Sequence, residues 1–171
     1  MNDFTGNKNF AISSQMVSAS CPSNIALIKY WGKYERQIPA NPSISYTLNN
    51  CKTNTSMEFV ADEKFSVQTF LSGNEEKKFA EKIEKYFRNI EEFLPWILKG
   101  KYVIKTENTF PHSSGIASSA SGFGAIAKCL MELDQQFSGL QDSDFKLRKA
   151  SFLARLGSGS ACRSLYDGLV V

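Results

Sequence analysis

Three stretches of this 171-residue chain carry residue types that could together hold a ligand with several anionic groups. The first is Phe110–Lys128, FPHSSGIASSASGFGAIAK. Nearly every residue from Ser113 to Gly122 is small, so a ligand can approach the backbone closely. The stretch then takes on helical spacing, with Ile116, Ala120, Phe123, Ala127 and Leu130 on one face. A small-residue loop feeding a helix N-terminus offers unpaired N–H groups and the positive end of the helix dipole, and both favour a phosphate. The second stretch is Asn24–Lys33, where the apolar run Ile25-Ala26-Leu27-Ile28 is followed by Lys29, Tyr30, Trp31, Gly32 and Lys33. The third is Ser158–Ser164, small and polar around Arg163. A guanidinium suits bidentate recognition of carboxylate or phosphate, and an ammonium acts as a point charge on phosphate.

Each stretch alone also has a structural reading. Small residues allow close helix packing, Lys29 and Lys33 could be a solvated strand edge, and Ser158–Ser164 could be a simple turn. No GxxxxGK[ST] or GxGxxG pattern is present, so neither a Walker loop nor a dinucleotide fingerprint applies. The lone His112, beside a loop proline, reads more readily as structural or exposed than as catalytic.

The elements that must position these stretches follow from patterning. Met1–Ser14 is polar and reads as a loose leader. Met16–Ser20 suits a first strand, Cys21-Pro22-Ser23-Asn24 a turn, and Ile25–Ile28 a short buried strand. Ser43–Leu48 alternates as a strand, with Ser43 and Ser45 on one side and Ile44 and Tyr46 on the other. Lys52–Val60 and Phe65–Phe70 read as two further strands, joined as a hairpin around Ala61–Lys64. Glu75–Leu94 is the clearest helix, with Phe79, Ile83, Tyr86/Phe87, Ile90 and Phe93 on one face and Pro95 at its end. Tyr102–Glu107 is another strand. Gln136–Leu140 is a connection, Asp142 or Ser143 caps a helix to Leu156, and Gly157 terminates it. Leu165–Val171 begins as an apolar strand. A domain seldom ends on Leu-Val-Val without a turn or polar tail, so the chain is expected to be the N-terminal portion of something longer.

Composition narrows the function classes. The hydrophobic share of 42% is ordinary for a globular domain, and the net charge of +3 with no block of like charges gives no support to nucleic-acid or membrane-surface binding. One histidine disfavours His-based triads and multi-His metal sites. Cys21, Cys51, Cys129 and Cys162 match neither a zinc nor a CxxC spacing and are read as reduced. No signal segment and no apolar run near the roughly 20 residues of a membrane span is present, so a cytoplasmic location is the default.

Beyond the bare chemistry, the three stretches resemble a known family. Pro111-x-x-x-Gly115-Ile116-Ala117-Ser118-Ser119-Ala120 resembles the second motif of the GHMP kinase superfamily, whose small-residue loop wraps ATP phosphates. Asn24-Ile25-Ala26-Leu27-Ile28-Lys29-Tyr30-Trp31-Gly32-Lys33 and Gly157-Ser158-Gly159-Ser160-Ala161-Cys162-Arg163-Ser164 are similar to the NIAxxKYWGK and GSGSACRS signatures of the diphosphomevalonate decarboxylase family. Asn41-Pro42-Ser43-Ile44-Ser45 sits where that family carries a serine-rich strand. The order agrees from about Ser20 to Val171.

The resemblance implies an α/β (α+β) fold of the ribosomal-protein-S5-domain-2-like type, with residues 1–19 as leader and 20–171 as the N-terminal domain of a GHMP kinase fold. It implies ATP- and Mg2+-dependent conversion of diphosphomevalonate to isopentenyl diphosphate: the 3-hydroxyl is phosphorylated, then phosphate and CO2 leave. By the same resemblance Tyr30 and Lys33 would contact the substrate diphosphate, with Lys29 close by. Asn24 and Arg163 would orient the carboxylate end, Asn24 partly by holding Arg163. The loop Pro111, His112, Ser113, Ser114, Gly115, Ile116, Ala117, Ser118, Ser119 and Ala120 would bind ATP, Ser119 also facing Mg2+ as a catalytic group, and Ser158 and Ser160 would hydrogen-bond substrate or nucleotide phosphate. The loop reads PHSSGIASSASG where many relatives read PTAAGLASSAAG, which leaves His112 without a role. By the same resemblance the essential aspartate is expected in a C-terminal domain beyond this N-terminal portion, so weak binding and negligible turnover are expected of residues 1–171 alone. A homodimer is a possible assembly. Two other readings stay open: a related enzyme that decarboxylates the monophosphate or only phosphorylates the 3-hydroxyl, and a non-catalytic binding or oligomerisation module.

Overall fold

The computed structural model of the chain describes residues 4–6, 9–111, 115–139 and 141–171. A six-stranded sheet carries its helices on one face, which is the mixed α/β architecture expected. The strands are β1 (Gln15–Ile28), β2 (Ile44–Ala61), β3 (Ser66–Leu71), β4 (Asn74–Glu75), β5 (Gly100–Asn108) and β6 (Leu169–Val170), and the helices are α1 (Lys77–Asn89), α2 (Ser118–Ser138) and α3 (Ser143–Gly157). The sheet order is β1-β2-β5-β3-β4, with β6 added to the start of β2; β3 runs parallel to β5, and the other pairs are antiparallel. Alternation along β2 turns Thr53, Thr55, Met57 and Phe59 toward the helices and leaves Asn54 and Glu58 exposed, as a sheet covered on one face requires. Helix α2 lies on β1 and β2 with α3 behind it, so it is buried over most of its length.

Several expectations change, among them the short buried strand read at Ile25–Ile28, whose Ile25, Leu27 and Ile28 side chains are exposed. The turn expected at Cys21–Asn24 is instead continuous strand. β1 pairs only with β2, so Pro22, which has no N–H to give, stands at an open edge where none is needed, and the register shifts between Pro22 and Ser23. The same irregularity joins the two strands read at Ser43–Leu48 and Lys52–Val60 into β2. Residues 49–51 have no partner on β1, and Thr109 takes the local backbone groups: its Oγ1 donates to Asn50 O (3.0 Å) and accepts from Lys52 N (2.9 Å).

The hairpin expected around Ala61–Lys64 does not form, because β5 inserts between β2 and β3 and pairs with both. Gly100 makes that insertion feasible, since a Cβ there would collide with the Phe59 ring. The helix expected to reach Leu94 ends at Asn89. Ile90, Phe93 and Leu94 stay buried as the periodicity required, but on successive turns. By contrast, Asp142 caps α3 as expected, its Oδ1 accepting from Phe145 N at 2.9 Å.

The described part of the leader touches the body. Phe4 stacks on Phe152 with ring centroids 5.1 Å apart, and Gly6 N donates to Glu92 O at 3.1 Å. β1 itself begins at Gln15, ahead of residue 20. At the far end β6 pairs Leu169 with Tyr46, which in turn pairs with Ile25, so an exposed apolar row crosses three strands.

Candidate functional site

The three stretches read from sequence converge at one end of the sheet. After β1 the chain passes Lys29 and Tyr30 into a hairpin-like excursion from Gly32 to Ala40. Gly32, at φ +85°, makes the turn, and Lys33 bridges to Pro39. The Ser158–Ser164 stretch becomes the end of α3 and a 3-10 turn, Ala161–Leu165. Gly159 marks where they meet: a Cβ built on it would collide with Tyr30 Oη and stand 3.3 Å from Lys33 Nζ. Only a residue without a side chain lets the tyrosine and lysine lie against that backbone.

Helix α2 brings in the third stretch. Its first turn opens from Ala117 with no side-chain cap hydrogen bond among the described residues, and Gly115 precedes it at φ +77° with no described residue within 4 Å of where a Cβ would be. The half-buried Ser118 and exposed Ser119 therefore sit at a helix N-terminus with orphan N–H groups. Ser119 Oγ lies 3.4 Å from Ser158 Oγ, which ties the loop to the turn. Ser23 on β1 secures the other side, its hydroxyl donating to Ile116 O (3.1 Å) and Ala117 O (3.3 Å). Pro111 is exposed and Ala120 is buried at the base of α2. His112, Ser113 and Ser114 of the expected loop lie outside the described residues.

Beneath this rim is a buried polar layer. Asn24, 1% exposed, donates through Nδ2 to Ser160 O (3.0 Å) and Ser164 Oγ (2.7 Å). It holds the turn that carries Arg163, not the guanidinium for which it was expected. Arg163, 7% exposed, donates through Nη1 to Ser43 Oγ, and its guanidinium carbon lies 6.0 Å from the Tyr30 ring centroid. Thr47 Oγ1 donates to Tyr166 O at 2.8 Å. Arg163 Nε and Ser45 Oγ in this layer, like Arg155 Nε on α3, are buried without a hydrogen-bond partner among the described residues. Buried donors and acceptors are normally satisfied, so this leftover hydrogen-bonding capacity sets the polar layer apart from the closed core.

Lys29 differs from the rest. It is exposed, and the structure describes only its backbone in the site, Lys29 O accepting from Asn41 Nδ2 at 3.4 Å. Sequence reasoning assigned no site role to Ser43, Ser164, Ser23 and Gln37. The same-side alternation of Ser43 and Ser45 was a legible signal for Ser43. The others are defined by contacts across long separations, and no local pattern marks them. Among the described residues no group of three or more His, Cys, Asp or Glu gathers to hold a metal, and no helix is long and apolar enough to cross a membrane.

Comparison with known proteins gives this geometry a context. The family model of the diphosphomevalonate decarboxylase-like N-terminal domain matches residues 21–171. Diphosphomevalonate decarboxylase of Schizosaccharomyces pombe is 38% identical over 90% of this chain and 41% of its own length. The human enzyme of the same name is 34% identical over 90% of this chain and 40% of its own. Among solved structures, mevalonate diphosphate decarboxylase from Staphylococcus aureus superposes with a TM-score of 0.76 at 36% identity, covering 91% of this chain and 45% of that one. A complex described as MDDEF with MVAPP, AMPPCP and magnesium superposes at a TM-score of 0.74 with 32% identity, covering 92% of this chain and 46% of that one. The chain thus spans about two fifths of the length of the curated relatives it matches.

Proposed function

Because the chain belongs to the diphosphomevalonate decarboxylase-like N-terminal domain family, we propose that it supplies the substrate- and ATP-phosphate-binding wall of an ATP- and Mg2+-dependent diphosphomevalonate decarboxylase. The observation that carries this reading is the meeting at Gly159, where Tyr30 and Lys33 lie against the turn that bears Arg163 and whose Ser158 reaches Ser119. On this reading Tyr30 Oη and Lys33 Nζ bind the diphosphate, with Lys29 adding positive potential nearby. Arg163 holds the carboxylate, and Asn24 keeps its turn in place. Ser158 and Ser160 hold substrate or nucleotide phosphate. A fixed carboxylate and a fixed leaving phosphate let fragmentation proceed in one geometry, which is where positioning lowers a barrier most.

The residues present fit a nucleotide triphosphate. The start of α2, uncapped by any described side chain, would accept an anion against backbone N–H groups, with Ser118 and Ser119 hydroxyls at hand. ATP would supply the phosphoryl group that turns the 3-hydroxyl into a leaving group. Mg2+ prefers phosphate and water oxygens with few protein ligands, and of the residues here Ser119 Oγ would be its protein ligand. The catalytic aspartate expected of the family has no counterpart assigned here, and the whole enzyme's turnover rests on residues beyond this wall. A homodimeric, cytoplasmic enzyme of isoprenoid and sterol-precursor synthesis is the wider context we infer.

Calorimetry of the chain tests this reading. Diphosphomevalonate should bind at least about 10-fold more tightly than the monophosphate, since a charged hydrogen bond contributes roughly 1.5–3 kcal/mol. Lys33→Ala and Arg163→Ala should each reduce that affinity. Equal affinity for the two ligands would favour a monophosphate-acting relative, and indifference to both substitutions would overturn the reading.

A further inference from the structure

Lys33 is exposed and sits on the excursion between Gly32 and Ala40, yet its ammonium is held in a defined place. Its Nζ donates to Gln37 Oε1 at 2.6 Å while lying 5.6 Å from the Tyr30 ring centroid and beside Gly159. The backbone that brings Gln37 to this position is unusual. Arg36 and Gln37 both occupy the left-handed region, at φ +55° and +61°, although neither is glycine. Two successive left-handed residues with side chains are uncommon and persist only where the surroundings enforce them.

The surroundings do enforce them. Tyr34 N donates to Ile38 O (2.8 Å) and Ala40 N to Gly32 O (3.2 Å), closing the excursion into a hairpin. At its base Asn41 Oδ1 accepts from Trp31 N at 2.6 Å. At its tip Arg36 pairs with Glu92 at 3.3 Å and lies 5.9 Å from the Phe93 ring centroid, tying the hairpin to the connection between α1 and β5. A cavity of about 460 Å3 lies between hairpin residues Lys33, Arg36 and Gln37 and the body residues Asn89, Glu92 and Leu156. The hairpin's end ties and internal bonds therefore help to set its position.

We infer that Gln37 is a positioning residue that sets the Lys33 ammonium for a diphosphate group, and that Arg36, through Glu92 and Phe93, anchors the hairpin that makes this possible. The inference rests on the reading of Lys33 as a diphosphate contact. The amide of Gln37 is suited to the task because it orients an ammonium without neutralising it. A carboxylate at the same place would pair with Lys33 and cancel the charge the ligand needs. The left-handed conformation at Arg36 and Gln37 turns the Gln37 side chain back toward Lys33, four residues earlier.

Two measurements on the 171-residue chain test it. In calorimetry with inorganic pyrophosphate, Gln37→Ala should weaken binding roughly 5-fold and Gln37→Glu more than that, in line with the value of a charged hydrogen bond. Lys33→Ala should abolish most binding, and adding Gln37→Ala to it should cost nothing more. Arg36→Ala should weaken binding by a smaller factor. In competitive labelling with acetic anhydride, Lys33 should react more slowly than Lys64, another exposed lysine, and Gln37→Ala should remove the difference.

Additive losses from Lys33→Ala and Gln37→Ala, or pyrophosphate affinity unchanged in Gln37→Ala, would overturn the inference. So would a Lys33 labelling rate indifferent to Gln37. Absence of pyrophosphate binding in the unsubstituted chain, with the labelling difference intact, would overturn the diphosphate reading of the site while upholding the hold of Gln37 on Lys33.

Discussion

Strand β2 passes through two buried regions of opposite chemistry. Near its end, Phe59 packs with Tyr102, Trp96 and Phe137 at ring-centroid separations of 5.1, 6.0 and 5.3 Å. The polar atoms admitted there are consumed internally. Tyr102 Oη donates to Ile97 O (2.7 Å), Trp96 Nε1 donates to Asp134 Oδ1 (2.8 Å), and Lys149 Nζ donates to Asp134 Oδ2 (3.0 Å). Near its start, Ser43, Ser45 and Thr47 are equally buried, but Ser43 Oγ accepts from the Arg163 guanidinium, Thr47 Oγ1 donates to Tyr166 O, and Ser45 Oγ and Arg163 Nε have no partner among the described residues. Depth of burial therefore does not separate core from site. The difference is whether hydrogen-bonding capacity closes on itself or is left over.

The largest effect that could break this comparison is at the closed end. Asp134→Ala leaves the Lys149 ammonium buried without a partner and the Trp96 N–H unpaired, with a stability loss of about 3–5 kcal/mol in urea unfolding. A loss below about 1 kcal/mol would show that the apolar end is not sealed by its ion pair. At the open end, Asn24→Ala removes two bonds to the 3-10 turn and should lower stability by about 1–3 kcal/mol. Diphosphomevalonate affinity should fall as well, by at least about 10-fold, whereas Asp134→Ala protein that remains folded should bind as the unsubstituted chain does. Stability loss without affinity loss in Asn24→Ala would reduce the polar layer to scaffolding.

An effect confined to alkaline pH, and absent at neutral pH, concerns two thiols. Burial pushes the Cys21 thiol up to about 11 and the Cys129 thiol up to about 12, from an ordinary value of 9.0. A raised folded-state value means the folded protein keeps the proton longer than the unfolded chain does. The corresponding stability is thus fully present below pH 9 and is lost as pH rises through about 11 to 12. Each thiol should cost about 1.4 kcal/mol per pH unit inside that window, and Cys21→Ala together with Cys129→Ala should make the decline between about pH 9 and 11 less steep. An unfolding free energy already falling between pH 7 and 8.5 would contradict it. At pH 8, iodoacetamide should modify the half-buried Cys51 before either buried thiol.

Much of the fold was legible because it is local. The cap at Asp142, the run of α2 after its small-residue loop, and strand β5 followed from periodicity and end signals that act within a few residues. The failures share a cause. Cys21–Asn24 has the composition of a turn, but Pro22 stands on an edge that only the sheet order reveals. The Ala61–Lys64 segment has the composition of a hairpin, but β5, arriving from far along the chain, takes the place between the two strands.

The same division governs the site. Amino-acid sequence by itself determined which groups could bind anions: Lys33, Tyr30, Arg163, and the loop of Ser118 and Ser119. Their chemistry is intrinsic, and their motifs are contiguous. Only the tertiary structure decided that Gly159 would seat Tyr30 and Lys33, that Asn24 would hold the turn and not the arginine, and that Ser43 would take Arg163. Asn24 meets Ser164 across 140 residues, and Arg163 meets Ser43 across 120. Contacts at that range are chosen by the folding of the whole sheet against its helices, because no local preference is strong enough to specify a partner so far along the chain.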